Sequence, residues 1–141
     1  MSLTASAHSI PGTLRNDVVV DGRFHLVTDE PPSLGGEDTG PAPHELLPAA
    51  LASCVSTTIL MYARTKGWEL GEVQVDVTYD HRATPRRMEI DVSIAAYLEP
   101  EQLARLEKVA ASCPIRQALT TGFEFAEHVS SRGTRALPEA A

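Results

Sequence analysis

The longest apolar stretch of the chain lies between Gly40 and Gly67 and predicts one long helix. It begins after Gly- and Pro-rich residues, carries little charge, and ends at Gly67, which we expect to adopt the left-handed conformation that closes helices. At helical spacing, one side carries Leu47, Leu51, Cys54, Thr58 and Met61. Much of the remaining surface is also apolar, through Leu46, Ala50, Ile59, Leu60 and Ala63. A helix that is apolar nearly all round is expected to be buried on most sides.

Two later segments alternate apolar and polar residues, as half-buried strands do. Residues 72–80 place valines and a tyrosine on one face, and residues 87–98 repeat the alternation. Because residues 81–86 read as a turn, the two segments are expected to be neighbouring antiparallel strands with one wet face and one buried face. We expect the central helix to pack against that buried face.

The N-terminal third predicts a β-hairpin followed by a long loop. Residues 18–20 and 24–28 are extended segments separated by Asp21-Gly22, a strong hairpin signal. Residues 1–12 are interpreted as an N-terminal arm, either loose or forming an edge strand. The Gly- and Pro-rich loop 29–43 is too long for a bare connector, which favours a functional or interface role.

The C-terminal part predicts a second, amphipathic helix over residues 100–112 with Pro100 at its first position. Cys113-Pro114 breaks that helix, and a short helical turn begins at Ile115. Residues 123–129 return to a strand-like pattern, and residues 130–141 are expected to form a flexible tail. The order of elements predicts a single α+β domain over residues 1–141, with helices on one side of an antiparallel sheet.

Composition narrows the range of partners. The apolar fraction of 43% and the charged fraction of 22% are ordinary for a soluble protein, and a net charge of −7 argues against nucleic acid or an anionic membrane. No apolar stretch is expected to reach the length that crosses a bilayer, because Ser53 and Ser56 to Thr58 interrupt the longest one. The first residues lack signal-peptide features, so we expect a cytoplasmic protein.

The two cysteines are the main candidates for chemistry, and they are either buried apolar fillers or a redox pair. Cys113 precedes a proline and is expected to cap the short helix, where free N–H groups and the helix dipole would stabilise a thiolate. Cys54 lies in the middle of the apolar helix, where burial raises a thiol pKa unless a cation or donor is brought to it. On this reasoning alone, Cys113 is the better nucleophile.

Several residues could activate Cys54. The candidate cations are Arg15, Arg23, Arg64 and Arg116. His44 and Glu45 stand at the helix entrance, but a straight helix would place Glu45 about 180° and His44 about 80° around the axis from Cys54. Either the Pro48 region bends the entrance, or one of the two residues acts only as a capping acid. His44, Cys54, Cys113 and His128 match no metal-ligand spacing, so no metal site is expected.

Two blocks of sequence together resemble the OsmC/Ohr family of thiol peroxidases. They are Pro-His-Glu-Leu-Leu-Pro-Ala-Ala-Leu-Ala-Ser-Cys, ending at Cys54, and Ser-Cys-Pro-Ile-Arg-Gln-Ala-Leu, around Cys113. The loop from Thr28 and the segment 61–68 look like the OsmC-like branch of the family. The similarity extends from about Arg15 to about Phe125.

The resemblance implies an OsmC-like fold, in which an antiparallel β-sheet wraps around a long central helix, and an intertwined homodimer. It implies that Cys54 is the peroxidatic and Cys113 the resolving cysteine, which reverses the order suggested by the helix dipole. It also implies an activating arginine from the N-terminal hairpin, best matched by Arg15, and a glutamate at the helix entrance. The sequence departs from the family there, because His44 occupies the usual acid position and Glu45 the next.

The leading hypothesis is a peroxidase that reduces organic, and also hydrogen, peroxides through a Cys54 sulfenic acid and a Cys54–Cys113 disulfide, in defence against oxidative stress. Leu47 and Leu51 are expected to wall the substrate pocket, a small dithiol or dithiol protein is the expected reductant, and no cofactor is expected. The competing hypothesis is a non-catalytic module of the same fold that binds an apolar or thiol-reactive ligand. A purely structural role is the third.

Overall fold

A computed structural model describes residues 2–133 and 135 and contains two antiparallel sheets and three α-helices within that part of the chain. The strands are β1 (Ala5–Ser9), β2 (Asn16–Val20), β3 (Phe24–Thr28), β4 (Val73–Asp80) and β5 (Arg87–Ile94). The helices are α1 (Leu46–Lys66), α2 (Pro100–Ala111) and α3 (Pro114–Thr121), and 3₁₀ turns occupy Pro32–Leu34 and Pro43–Glu45. The α+β class is therefore confirmed.

The N-terminal sheet has the order β1-β2-β3. The hairpin between β2 and β3 is confirmed, with Asp21 and Gly22 both at positive φ, as tight hairpin turns require. The arm proves to be an edge strand, since Ala5 pairs with Val20 and Ser9 with Asn16. This sheet is separate from the pair β4-β5, and no extensive packing joins it to α1 within the described residues.

The second sheet is the predicted pair of alternating strands, in register from Val73 opposite Ile94 to Asp80 opposite Arg87. Its half-buried side chains pack against α1, because β-branched residues recur at every second position and so share a face. Helix α2 also packs on α1, and its Leu106 belongs to the same core cluster. The helix α1 is thus the centre of the core.

Only one stripe of α1 is buried, so the prediction of burial on most sides is wrong for the single chain. The stripe consists of Leu51, Val55, Ile59 and Ala63, one residue per turn. Leu60 and Met61 are exposed by 42% and 63%. Gly67 closes the helix at φ 69°, as predicted.

By length and composition alone, the segment Pro43–Lys66 is apolar enough to cross a membrane. The prediction that no stretch reaches that length is therefore wrong, because hydroxyl side chains such as Thr58 can bond to the helix's own carbonyls and interrupt its apolar character little. The buried stripe and its packing against β4 and α2 are those of the core helix of a folded domain.

The predicted strand over residues 123–129 is also wrong. No strand is assigned there, and Phe123, Phe125 and Val129 are exposed by 63%, 81% and 92%. A strand needs a neighbour to pair with, and within the described chain no strand lies beside this segment. Of the predicted C-terminal tail, residues 130–133 and 135 form no helix or strand, while Thr134 and residues 136–141 lie outside the described residues.

Candidate active site

Cys54 lies in the middle of α1, half-buried beside the fully buried Val55. One turn later, the hydroxyl of Thr58 donates a hydrogen bond of 2.7 Å to the Cys54 carbonyl oxygen. The same hydroxyl oxygen lies 4.0 Å from the Cys54 sulfur. The Cys54 sulfur therefore has a polar group nearby within its own helix, although the surrounding residues are apolar.

Cys113 is the residue that caps the N-terminus of α3, as its position before Pro114 predicts. Its φ of −52° and ψ of 127° are extended, and its side chain is completely buried. Its carbonyl accepts the Gln117 N–H at 3.1 Å, which begins the helix. Both cysteines are free thiols, and Cys54 packs against the core cluster that contains Cys113, so two residues distant in sequence lie in one part of the core.

The two thiols have opposite pKa shifts. Desolvation acts to raise the pKa of Cys54, but hydrogen bonds from the Cys113 thiol, the Ile115 N–H and the Thr58 hydroxyl outweigh it and lower that pKa below its ordinary value. Burial raises the pKa of Cys113, and its hydrogen bond to Cys54 raises it further, against the N–H groups of Arg116 and Ile115. Cys54 is therefore the readier thiolate, and Cys113 is the thiol that donates to it.

This order contradicts the prediction from the helix dipole, which favoured Cys113 as the nucleophile. The physical reason is that the N–H groups at the start of α3 favour the thiolate of Cys54 as well as that of Cys113, whose side chain makes no capping hydrogen bond. Cys113 is also the more deeply buried sulfur, and burial disfavours its charged form.

The predicted cations do not contribute to the Cys54 environment within the described chain. Arg15 lies just before β2, and its Nε is buried without a hydrogen-bond partner among the described residues. Arg23 pairs with Asp21 at 3.1 Å and lies over the Phe24 ring. Arg64 and Arg116 are exposed. Arg15 remains separated from Cys54 because the N-terminal sheet does not pack extensively on α1 of the same chain.

Glu45 and His44 make their described contacts with residues other than the cysteines. Glu45 accepts the Ala42 N–H at 3.0 Å, which is the capping role considered as an alternative. A 3₁₀ turn, Pro43–Glu45, precedes α1, and the α-helix then continues unbroken from Leu46 through Pro48. His44 lies in an aromatic cluster, with ring centroids 6.2 Å from Tyr79 and 5.3 Å from His81.

The two predicted pocket-wall residues, Leu47 and Leu51, differ in exposure in the single chain. Leu51 is 2% exposed and belongs to the core, so it cannot line an open pocket, whereas Leu47 is 38% exposed. A groove of about 630 Å³ lies instead between β5 and α2. It is lined by apolar residues that include Ile59, Met88, Leu103 and Leu106, and by Arg116 of α3.

Sequence reasoning missed two contributors to the site, Thr58 and the Ile115 N–H. Thr58 could have been found from its i+4 spacing to Cys54, since residues so spaced are neighbours on a helix. The Ile115 amide gives no side-chain signal at all, and only the packing of α3 against α1 brings it to Cys54. Within residues 2–133 and 135, no group of three or more metal-ligating side chains exists.

Comparisons with known proteins agree with this architecture. The sequence model described as OsmC-like protein matches residues 35–127. A structure from Psychrobacter arcticus, named for an osmotic stress induced and detoxification response, is 25% identical with a TM-score of 0.71, over 84% of this chain and 88% of that one. An organic hydroperoxide resistance protein OsmC from Legionella pneumophila is 25% identical with a TM-score of 0.59, over 84% and 89%.

A third structure, an OsmC like protein from Mycoplasma pneumoniae, is 18% identical and shows the fold alone, with a TM-score of 0.70 over 85% of this chain and 88% of that one. No match was found among curated proteins.

Proposed function

Because the chain belongs to the OsmC-like protein family, we propose that it is a thiol-dependent peroxidase that reduces organic hydroperoxides through Cys54 and Cys113. The observation that carries the proposal is the pair of free thiols on the packed helices α1 and α3, half-buried Cys54 and buried Cys113, in environments that lower the pKa of the first and raise that of the second. A peroxidase with two cysteines needs one thiolate to attack and one thiol in reserve beside it. The names of related structures as organic hydroperoxide resistance proteins support the substrate class.

In the first step, the Cys54 thiolate attacks the terminal oxygen of R–O–O–H and the O–O bond breaks. The sulfur gains the hydroxyl group and becomes a sulfenic acid, while the alkoxide leaves and takes a proton from solvent to become the alcohol. Two electrons pass from sulfur to the peroxide. The lowered pKa of Cys54 raises the fraction of nucleophile present at neutral pH.

In the second step, Cys113 loses its proton and its sulfur attacks the Cys54 sulfenic acid. A sulfur–sulfur bond forms and the S–O bond breaks, so that hydroxide leaves and is protonated to water. The shared core position of the two residues keeps this step intramolecular. A small dithiol or dithiol protein then reduces the disulfide by thiol–disulfide exchange.

The groove between β5 and α2, lined by apolar side chains together with Asp91, Glu107 and Arg116, is the proposed place for the organic part of the substrate. Two of its lining residues lie near the cysteines in sequence, Ile59 after Cys54 in α1 and Arg116 after Cys113 in α3, although neither cysteine lines the groove. Its volume of about 630 Å³ lies within the range of small-molecule pockets. The preference for organic over hydrogen peroxide is proposed to arise from burial of the organic group there.

A homodimer is part of the proposal. Leu60 and Met61 expose apolar surface on the longest helix, and the N-terminal sheet packs extensively on no other element of the described chain. The buried Nε of Arg15, which has no hydrogen-bond partner among the described residues, lies just before β2 of that sheet. We propose that this sheet docks on a second copy and brings Arg15 toward that copy's Cys54. The proposed compartment is the cytoplasm, whose reducing thiols regenerate the pair.

The test is a titration of the purified, reduced protein with cumene hydroperoxide. One equivalent should remove two free thiols per chain and lower the mass by two hydrogens, with no added oxygen. In Cys113→Ser, the reaction should stop at a Cys54 sulfenic acid that a dimedone probe captures, and Cys54→Ser should be inert. Retention of both thiols in excess peroxide excludes a peroxidase.

The second candidate is a module of the same fold that binds an apolar or thiol-reactive ligand without turnover. The position of His44 favours it, because the residue at the family's acid position contacts Tyr79 and His81 instead of the thiols. Steady-state peroxide consumption with dithiothreitol separates the candidates. The binding module predicts none in the native chain and a gain in His44→Glu, whereas the peroxidase predicts turnover without that substitution.

A further inference from the structure

Another cavity, of about 430 Å³, is formed by three segments of the chain. They are the loop that follows β3, the start of α1 and the turn between β4 and β5. The volume lies within the range of small-molecule sites. Neither cysteine lines this cavity, so the proposed peroxidase chemistry gives it no role.

One wall of this cavity is aromatic. His44, Tyr79 and His81 all line it, and the distances between their ring centroids are 5.3, 5.9 and 6.2 Å. The Tyr79 ring meets both imidazoles edge to face, at 89° and 66°. The three rings thus form one packed cluster, and aromatic faces are surfaces on which a planar cation stacks.

Acidic side chains line the same cavity. Glu30 and Asp38 come from the loop, and Glu45 from the turn before α1. The Asp38 N–H donates to the Glu30 carbonyl at 3.1 Å, which holds these two acidic residues next to each other. None of the three carboxylates forms an ion pair with another described residue. Because neighbouring like charges repel, a positive charge bound between them is favoured.

The chain supplies little positive charge to this place. No lysine or arginine occurs between Arg23 and Arg64, and Arg82 is the one arginine or lysine that lines the cavity, against three acidic side chains. Within residues 2–133 and 135, no three metal-ligating side chains are placed to share an ion. A cation whose charge is spread over several atoms suits carboxylates that do not converge on one point.

The start of α1 offers few free donors to a competing anion. Helix starts favour anions through free N–H groups. Here the Ala42 N–H bonds to the Glu45 side chain. The Leu46 N–H bonds back to carbonyl oxygens of the 3₁₀ turn, and Pro48 has no N–H. The cavity therefore favours a cation.

We propose that this cavity binds a small organic cation that carries a guanidinium group on a short apolar chain. The planar guanidinium stacks on the aromatic cluster and donates hydrogen bonds to the carboxylates of Glu30 and Asp38. Its chain lies against Pro31, Leu34 and Pro48, which also line the cavity. This inference is independent of the proposed peroxidase function.

The experiment is a nuclear magnetic resonance titration of the native protein with n-propylguanidinium chloride, at low ionic strength and at pH 8, where free imidazole is neutral. The ring protons of His44 and His81 should shift and saturate, while those of His8 and His25, which lie on the N-terminal sheet, should not. Added salt should weaken binding. n-Propylurea, the uncharged probe of similar shape, and propionate should bind at least tenfold more weakly.

Three variants test the assignment of the site. Asp38→Asn should weaken binding about tenfold, and Glu37→Gln is the matched control, because Glu37 is exposed in the same loop but does not line the cavity. His81→Gln removes an exposed ring and should weaken binding about threefold. Cys54→Ser should bind as the native protein does, which keeps this test separate from any failure of the peroxidase function.

The absence of saturable binding overturns the inference. Equal affinity for n-propylurea would mean an uncharged apolar site, and a preference for propionate would mean an anion site, so either result contradicts it as well. An equal loss in Glu37→Gln would reveal only general attraction to an acidic chain. Equal shifts at His8 and His25 would place the binding outside the cavity.

Discussion

The Thr58 hydroxyl donates its proton to the Cys54 carbonyl at 2.7 Å while its oxygen lies 4.0 Å from the Cys54 sulfur. A hydroxyl has one proton to give. The Thr58 hydroxyl donates that proton to the backbone carbonyl and is therefore a weak donor to a thiolate. Most of the stabilisation of the Cys54 thiolate must come from the Cys113 thiol and the start of α3.

Removing that hydroxyl should accordingly have a small effect. We expect Thr58→Val to raise the pKa of Cys54 by no more than about half a pH unit. Thr58→Ser, which keeps the hydroxyl, is the control and should leave the pKa unchanged. Alkylation rates across pH in the Cys113→Ser background measure the shift, and a rise of about one pH unit would show that the hydroxyl is a major donor.

Loop 29–40 should lose its order in acid. Asp29 is buried and accepts hydrogen bonds from the Thr39 hydroxyl at 2.6 Å and from the N–H groups of Glu30, Glu37 and Thr39. The Thr39 hydroxyl, opposed by burial and aided by the three amides, lowers the pKa of Asp29 below its ordinary value of 3.8. A lowered pKa stabilises the fold above pH 3.8, and the contribution is lost as pH falls through the lowered pKa.

Asp29→Asn should therefore lower the Tm at neutral pH by several degrees, and the gap to the native protein should close in acid. Asp38→Asn is the matched control, because Asp38 is exposed in the same loop and Asn tolerates its φ of 56°. Thermal unfolding followed by circular dichroism across pH makes the measurement. A gap that stays constant into acid would contradict the assignment of the carboxylate as the loop's anchor.

The same loop leaves no space for a methyl group at Gly40. A Cβ there would lie 2.5 Å from the Val27 carbonyl oxygen. We expect Gly40→Ala to reduce the free energy of unfolding by about 1–3 kcal/mol. Gly133→Ala, where a Cβ would meet only the Ser131 hydroxyl at 3.9 Å, should be neutral. Urea unfolding of both variants compares them, and equal stability would mean that the loop can shift at little cost.

The groove between β5 and α2 gives a prediction on specificity. Ala111 lines it and is exposed, so Ala111→Trp should fill the groove without disturbing the core. We expect the KM for cumene hydroperoxide to rise about tenfold, on the scale of a few lost methylene contacts, and the kinetics with hydrogen peroxide to stay unchanged. Ala104→Trp, exposed on α2 but outside the groove, is the control. An equal loss with both peroxides would remove the groove as the substrate site.

The two faces of α1 should respond differently to substitution. Ile59 is 1% exposed, so Ile59→Ala should cost about 2–5 kcal/mol at any protein concentration. Met61 is exposed in the single chain, and Met61→Glu should leave the monomer's stability nearly unchanged while breaking the proposed homodimer. Light scattering and concentration-dependent Tm values distinguish the two effects. A Met61→Glu protein that remains dimeric would place the interface elsewhere.

Local sequence patterns were sufficient to predict those structural elements whose conformation depends on their own residues. The alternation in β4 and β5, the Asp21-Gly22 turn, the cap at Gly67 and the start of α3 after Cys113 all follow from backbone preferences and side-chain spacing. The strand predicted over 123–129 failed because pairing requires a neighbour, which spacing cannot supply.

The candidate site also combines features that local sequence predicts with features that only packing sets. The sequence by itself determined that Cys54 lies on an apolar helix and that Cys113 caps the next one, because helix periodicity and the residue before proline are local matters. Only the tertiary structure decided which thiol has the lower pKa, since that depends on burial and on the packing of α3 against α1. It also decided that Glu45 caps a turn and that His44 meets Tyr79, because contacts between distant segments are set by packing rather than by sequence spacing.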